Sequence, residues 1–250
     1  MTPYEIVAIC LSAVAILISL TQWFWKKFII KSQLKFYPNG KMKLFFNQSG
    51  SYVRLDGVFE ALKAPISIKK LTLKIIRKKD SQELNLDWSV FISPVNQNLM
   101  GTFVQNNETA HPFRIEADSI MCAFTEFANI YDSNKVFMEK AKAVFDLLPT
   151  LEQIQNYDKA FDKYTTSEEY KLARLEVSKE FFWEIGKYDV ILTAEHSNKR
   201  SQFKYGLSVN EHDYRLLTTN ICESLITPLK NMFSVPLNYQ SVNSELIKYE

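Results

Sequence analysis

The sequence predicts a membrane-anchored α+β protein: one N-terminal transmembrane helix, then a mainly antiparallel β-sandwich carrying a helical insertion. Three observations carry this expectation. An uncharged apolar run lies between Glu5 and Lys26, short alternating segments follow from Leu34 to about Phe127, and the period turns helical between Ser133 and Trp183. The expected division is an anchor with its basic flank over residues 1–31 and one cytoplasmic domain over 32–250, with the insert at about 133–183.

The anchor comes first. The twenty residues from Ile6 to Trp25 are uncharged, and at about 1.5 Å rise per residue they cross the roughly 30 Å hydrocarbon core once. A cleaved signal peptide would want a positive start, a shorter apolar stretch and a small-x-small cleavage site. This chain begins MTPYE and its run ends in QWFWKKFIIK. Trp23 and Trp25 stand where an aromatic belt sits, and Lys26, Lys27 and Lys31 follow them. The positive-inside rule then puts the N-terminus outside and the large domain in the cytoplasm, at a plasma (inner) membrane.

Small and polar residues are not scattered along this helix. Ala8, Ser12, Ala15, Ser19 and Gln22 recur at heptad spacing on one face, while bulky residues such as Ile9, Ile16 and Leu20 fall mostly elsewhere. Helices in lipid associate through close backbone approach and hydrogen bonding, so this stripe is the expected helix–helix interface, with a homo-oligomer or another membrane protein as partner. An amide such as that of Gln22 is costly near the membrane without a partner. A plain monomeric anchor is the alternative.

Next come the strands. A chain of 250 residues with 46% hydrophobic and 14% aromatic content can bury one sizeable core and is not disordered. In LKFYPNGKMKLFF, Pro38-Asn39-Gly40 reads as a hairpin turn between two strands. SYVRLDGVFEAL, ISIKKLTLKIIRKK, ELNLDWSVFI and FRIEADSIMCAFTEF supply the further strand-like runs, so four or five strands precede the insert. Helical spacing in SNKVFMEKAKAVFDLL, a capping pair Thr150 and Gln153, and an N-terminus near Ser167 followed by Glu168 and Glu169 predict three helices. KYDVILTAEHS and SQFKYGLSVNE then resume the sheet around a turn near Asn198. A short helix ending before Pro228 and a loose tail close the chain.

Charge divides the chain. Residues 1–80 hold 14 Lys/Arg against 4 Asp/Glu, and the remainder 16 against 24. Within the basic half Lys69, Lys70, Lys74, Arg77, Lys78 and Lys79 form a cluster suited to anionic headgroups of the inner leaflet or another anionic partner. The alternative is a strand edge whose lysines face water. Aromatics are not interleaved with these cations and no nucleic-acid-binding signature accompanies them, so nucleic acid is not an expected partner.

Chemistry is sparse. Cys10, Cys122 and Cys222 lie in apolar segments without CxxC spacing, which suggests buried thiols in a reducing compartment rather than disulfides or zinc. His111 precedes a proline, His196 closes a strand, and Glu211-His212-Asp213 reads as a surface turn. No GxSxG, GxGxxG or phosphate-loop motif occurs, and no metal or cofactor is expected. The carboxylate pairs Glu168 with Glu169 and Asp158 with Asp162 sit among lysines and read as solvated ion pairs.

The expectation is a non-enzymatic single-pass membrane protein whose cytoplasmic domain senses or binds a ligand or protein and whose anchor self-associates. Membrane effectors of bacterial antiviral systems supply an analogy of design only. Alternatives are an accessory or scaffold subunit of a larger membrane complex, and an enzyme without a recognisable motif.

Overall fold

A computed structural model describes the chain except residues 1, 26–31, 100–101, 151–155, 197–198 and 250, and except the side chains of 93–106 and 130–132. The first element is α1 (Pro3–Phe24), capped by Thr2, whose side chain accepts from the Glu5 amide while Glu5 returns a bond to the Thr2 amide. Pro3 fits the first turn because its missing N–H would have no helical partner. No residue of α1 is buried.

Eleven strands follow among the described residues: β1 (Gln33–Asn47), β2 (Gly50–Leu62), β3 (Ile66–Arg77), β4 (Glu83–Leu99), β5 (Thr102–Thr109), β6 (Phe113–Ile115), β7 (Ser119–Ala128), β8 (Gly186–His196), β9 (Lys199–Val209), β10 (Val242–Glu245) and β11 (Ile247–Lys248). The helices are α2 (Ile130–Phe145), α3 (Tyr157–Thr166), α4 (Glu168–Lys179) and α5 (Glu211–Met232). Each strand pairing is antiparallel, and the strands join into one sheet in the order β10-β1-β2-β7-β4-β3-β8-β9-β11, with β5 on β4 and β6 on β3. The sheet curls until its ends approach, β10 lying against β9, so its shape is nearly that of a barrel. The interior is filled by the alternate residues of each strand, such as Leu71, Leu73 and Ile75 of β3 and Tyr188, Val190 and Leu192 of β8.

Period-two alternation located most strands, and the departures have physical causes. Pro38-Asn39-Gly40 is no hairpin turn but an irregularity inside β1, where register with β2 jumps from Pro38↔Gly57 to Met42↔Leu55. Asn39 Oδ1 accepts the Lys41 amide and Gly40 takes φ +86°, so the turn chemistry bends one long strand instead of ending it. The chain reverses at Gln48-Ser49, where Gly50 (φ +89°) lies so close to α2 that a Cβ there would overlap the Ser133 side chain. FRIEADSIMCAFTEF divides into β6 and β7 around Asp118, which has positive φ. Seven strands therefore precede the insert, including β5.

The insert packs on one end of the barrel. Phe137, Ala141 and Val144 of α2 and Tyr170, Ala173 and Val177 of α4 are buried, and α2 meets both α4 and β2. Ser167 caps α4 by accepting the Tyr170 amide, as its position before two glutamates predicts. The helix expected to begin at Thr150 falls on residues outside those described; α3 begins at Tyr157, capped by Asn156.

The last helix is long. Glu211, His212 and Asp213 form its first turn, with Asp213 in a capping box with Asn210, so the expected surface turn is a helix start. α5 also continues through Pro228 instead of stopping before it. Proline leaves the carbonyl four residues earlier without its donor, and here Gln48 Nε2 donates to Ser224 O at 2.9 Å. The tail is fastened too: Glu223 accepts Lys230 Nζ at 2.8 Å and the Asn238 amide at 2.6 Å, and Asn220 bonds both the amide and carbonyl of Gln240. β10 and β11 then pair with β1 and β9, where a loose tail was expected.

Candidate functional site

The predicted interface residues lie on α1 as a continuous stripe. Ser12 Oγ donates to Ala8 O and Ser19 Oγ to Ala15 O, each at 2.9 Å. These hydroxyls are thus satisfied within the helix and present a small, smooth face. Gln22 closes the stripe, followed by the exposed rings of Trp23 and Trp25. An 18-residue window of α1 has mean hydropathy 2.2 with none of it buried, so it is long and apolar enough to cross a membrane. Lys26, Lys27 and Lys31 lie outside the described residues.

The cationic cluster is strung along β3 rather than gathered into one compact patch. Gln33, the first residue of β1, pairs with Leu62 at the end of β2, and the chain enters β3 from that same end; Arg77 lies at the other, opposite Tyr188. From Lys69 to Arg77 β3 runs about 26 Å at roughly 3.3 Å per residue, which is about three Debye lengths at physiological salt. β3 is also an inner strand, between β4 and β8, rather than an edge. Its outward lysines form cross-strand ion pairs: Lys70 with Asp87 at 2.7 Å and Lys74 with Glu83 at 2.7 Å. Beyond its end, Lys78 pairs with Asp189 at 2.8 Å and Lys79 with Glu184 at 3.3 Å. Lys69 is exposed at the bulge between Ile68 and Lys70.

Arg77 corrects the expectation of an anionic-partner contact. Its side chain is 7% exposed and holds the β3–β4 turn against the loop before β8. It donates to Asp80 Oδ1 at 3.0 Å and Oδ2 at 2.7 Å, to Phe182 O at 2.9 Å and to Gln82, and it pairs with Glu184 at 2.8 Å. The bond from Arg77 holds the Asp80 carboxyl down to about 2.

The histidines do not converge. His111 is exposed, with Nδ1 3.0 Å from Thr109 O. His196 is buried at the end of β8, with Nε2 2.7 Å from Ser201 Oγ and, among the described residues, no hydrogen-bond partner at Nδ1. Burial, with help from Lys199, lowers its pKa. A hydroxyl beside an imidazole is the start of a nucleophile–base pair, but no carboxylate orients this ring at Nδ1. Ser201 carries no sequence signature and becomes visible only through the β8–β9 pairing.

The thiols differ from expectation: Cys122 is exposed and Cys222 half-buried, because Cys122 alternates with the inward-facing Ala123 on β7. Among the described residues no group of three or more His, Cys, Asp or Glu could hold a metal ion. Between the insert and the barrel lies a cavity of about 200 Å³, lined by Phe46, Leu86, Phe137, Val177 and the Lys140–Glu180 ion pair (2.5 Å).

No protein-family model and no curated protein matches this chain. A solved structure of a family 123 glycoside hydrolase from Clostridium perfringens, described for glycolipid glycan hydrolysis, aligns at TM-score 0.31 and 9% identity. The alignment covers 72% of this chain and 28% of that one. At that TM-score the likeness carries no argument about function.

Proposed function

We propose that this is a single-pass protein of a plasma (inner) membrane, N-terminus outside, whose cytoplasmic near-barrel binds a ligand or protein and whose α1 self-associates through Ala8, Ser12, Ala15, Ser19 and Gln22. The observation that carries the reading is α1 itself: a 22-residue, mainly apolar helix with none of its residues buried, joined to a domain that has its own core. Exposed apolar surface on that scale needs lipid or protein cover. Trp23 and Trp25, followed by Lys26, Lys27 and Lys31, support the orientation.

Cysteines placed singly at Ser12 and Ala15 and oxidised in membranes test the self-association. Crosslinked dimers at these positions, and none at the opposite-facing Leu17, are expected. Recovery of monomer alone at Ser12 and Ala15 removes the oligomer from the proposal. A stoichiometric second membrane protein on purification in detergent would instead assign the stripe to an accessory subunit.

A further inference from the structure

The near-barrel has one open seam. β1 pairs with β2 along its length but meets β10 only over Lys41–Leu44, and β9 meets β11 only at Tyr205 and Gly206. Among the described residues, Gln33–Pro38 of β1 and Lys199–Lys204 of β9 have no strand partner on their facing edges. The C-terminal tail thus closes half of the seam. The other half is a cleft of about 490 Å³, within the roughly 300–1,000 Å³ of small-molecule sites.

The cleft is chemically one-sided. Lys35, Lys204 and Lys248 line it and no carboxylate does. Asp189, on which Lys204 acts electrostatically, is already bound by Lys78 at 2.8 Å and by the Tyr249 hydroxyl. Aromatic rings supply most of the remaining wall, including the buried Phe36. Their hydroxyls are committed as well: Tyr37 donates to Glu60 at 2.9 Å and Tyr205 to Phe36 O at 3.2 Å. Among the described residues, what forms no ion pair or strand pairing here is three ammonium groups and two strand edges, beside the ring surface.

We propose that this seam binds a small organic anion with a planar ring, its phosphate or carboxylate held by Lys35, Lys204 and Lys248 and its ring against the aromatic wall. Ammonium groups attract the anionic oxygens, and unpaired edge amides add donors to them. Rings in the cleft give a planar body contact area that aliphatic chains of the same volume would not use as well. The inference deepens the reading of the barrel as the binding part and is independent of whether α1 self-associates.

The test titrates 2-naphthyl phosphate, 2-naphthoate and 2-naphthol into the full chain in detergent, read by calorimetry against empty micelles. At least one anion saturates a single site below about 10 mM, and the better-bound anion identifies phosphate or carboxylate as the headgroup. Naphthol binds about tenfold or more weakly. Each single change, K35Q, K204Q or K248Q, weakens the anion roughly two- to fivefold and the triple variant by about tenfold or more, whereas K163Q on α3 changes nothing. Wild-type affinity also falls as salt rises, a readout that does not depend on how the variants fold.

Failure of both anions to saturate, naphthol binding as well as they do, or binding indifferent to K204Q and to salt would overturn the proposal. A six-residue peptide of alternating Glu and Val that displaces the anions and binds more than about tenfold tighter would overturn it in favour of strand addition. If the anions fail while α1 crosslinks form, the seam proposal fails and the self-association stands.

Discussion

Arg77 and His196 illustrate how a residue's surroundings reverse what its neighbours in sequence suggest. Arg77 sits in a run of lysines, yet its position in β3 points it inward, and a planar fork of donors is what the Asp80, Phe182 and Gln82 acceptors require. R77K keeps the charge and loses the fork, leaving the buried Phe182 carbonyl unpaired. A loss of about 2 kcal/mol in urea unfolding of the domain is expected. His196 gives a pH dependence. Its folded pKa lies below the ordinary value near 6.5, so the unfolded chain takes up the proton first and stability falls as pH drops below about 6.5. H196Q should flatten the dependence of melting temperature on pH between about 7 and 5. An unchanged slope would show that another group controls it.

At the scale of elements, α5 is the instructive case. A proline inside a helix costs about 3 kcal/mol or more in isolation, so the sequence reading ends the helix there. The fold offsets that cost with a side chain from a distant turn, Gln48 on Ser224 O, while Tyr164 OH donates to Leu225 O at 2.9 Å in the same stretch. Q48A should cost about 1–3 kcal/mol in thermal or urea unfolding, much more than an ordinary exposed Gln to Ala change. If Q48A is neutral, the Ser224 carbonyl does not need that donor. The insert was legible by contrast, because the Ser167 cap and the helical spacing of Val136, Phe137, Lys140 and Val144 are local signals; of that set the packing buries Phe137 and Val144, while Val136 stays exposed.

For the whole molecule, the division between α1 and the barrel makes a direct prediction. α1 buries nothing, so a chain beginning at Ser32 should fold and melt within about 4 °C of the full chain, measured by circular dichroism in the same detergent. A larger fall would mean that α1 contributes to the core. The barrel itself depends on contacts far apart in sequence, with β10 near the C-terminus pairing with β1 near the beginning. The open seam is a product of that arrangement and corresponds to no contiguous motif.

The sequence by itself determined α1, the alternation of most strands, the presence of a helical insert and the lack of a familiar catalytic motif. Each is a property of composition or local period, carried by residues within a few turns or pleats of one another. Only the tertiary structure decided that Asn39-Gly40 bends a strand rather than ending it, that Pro228 lies inside a helix, and that the tail pairs at both edges of the sheet. It also decided where the lysines go, since Lys70 and Lys74 meet acids across strands while Lys35, Lys204 and Lys248 line the seam. The reason is the same throughout: a period tells which face of an element is apolar, but the free energy of a buried polar group or an open edge depends on the partner brought to it from elsewhere in the chain.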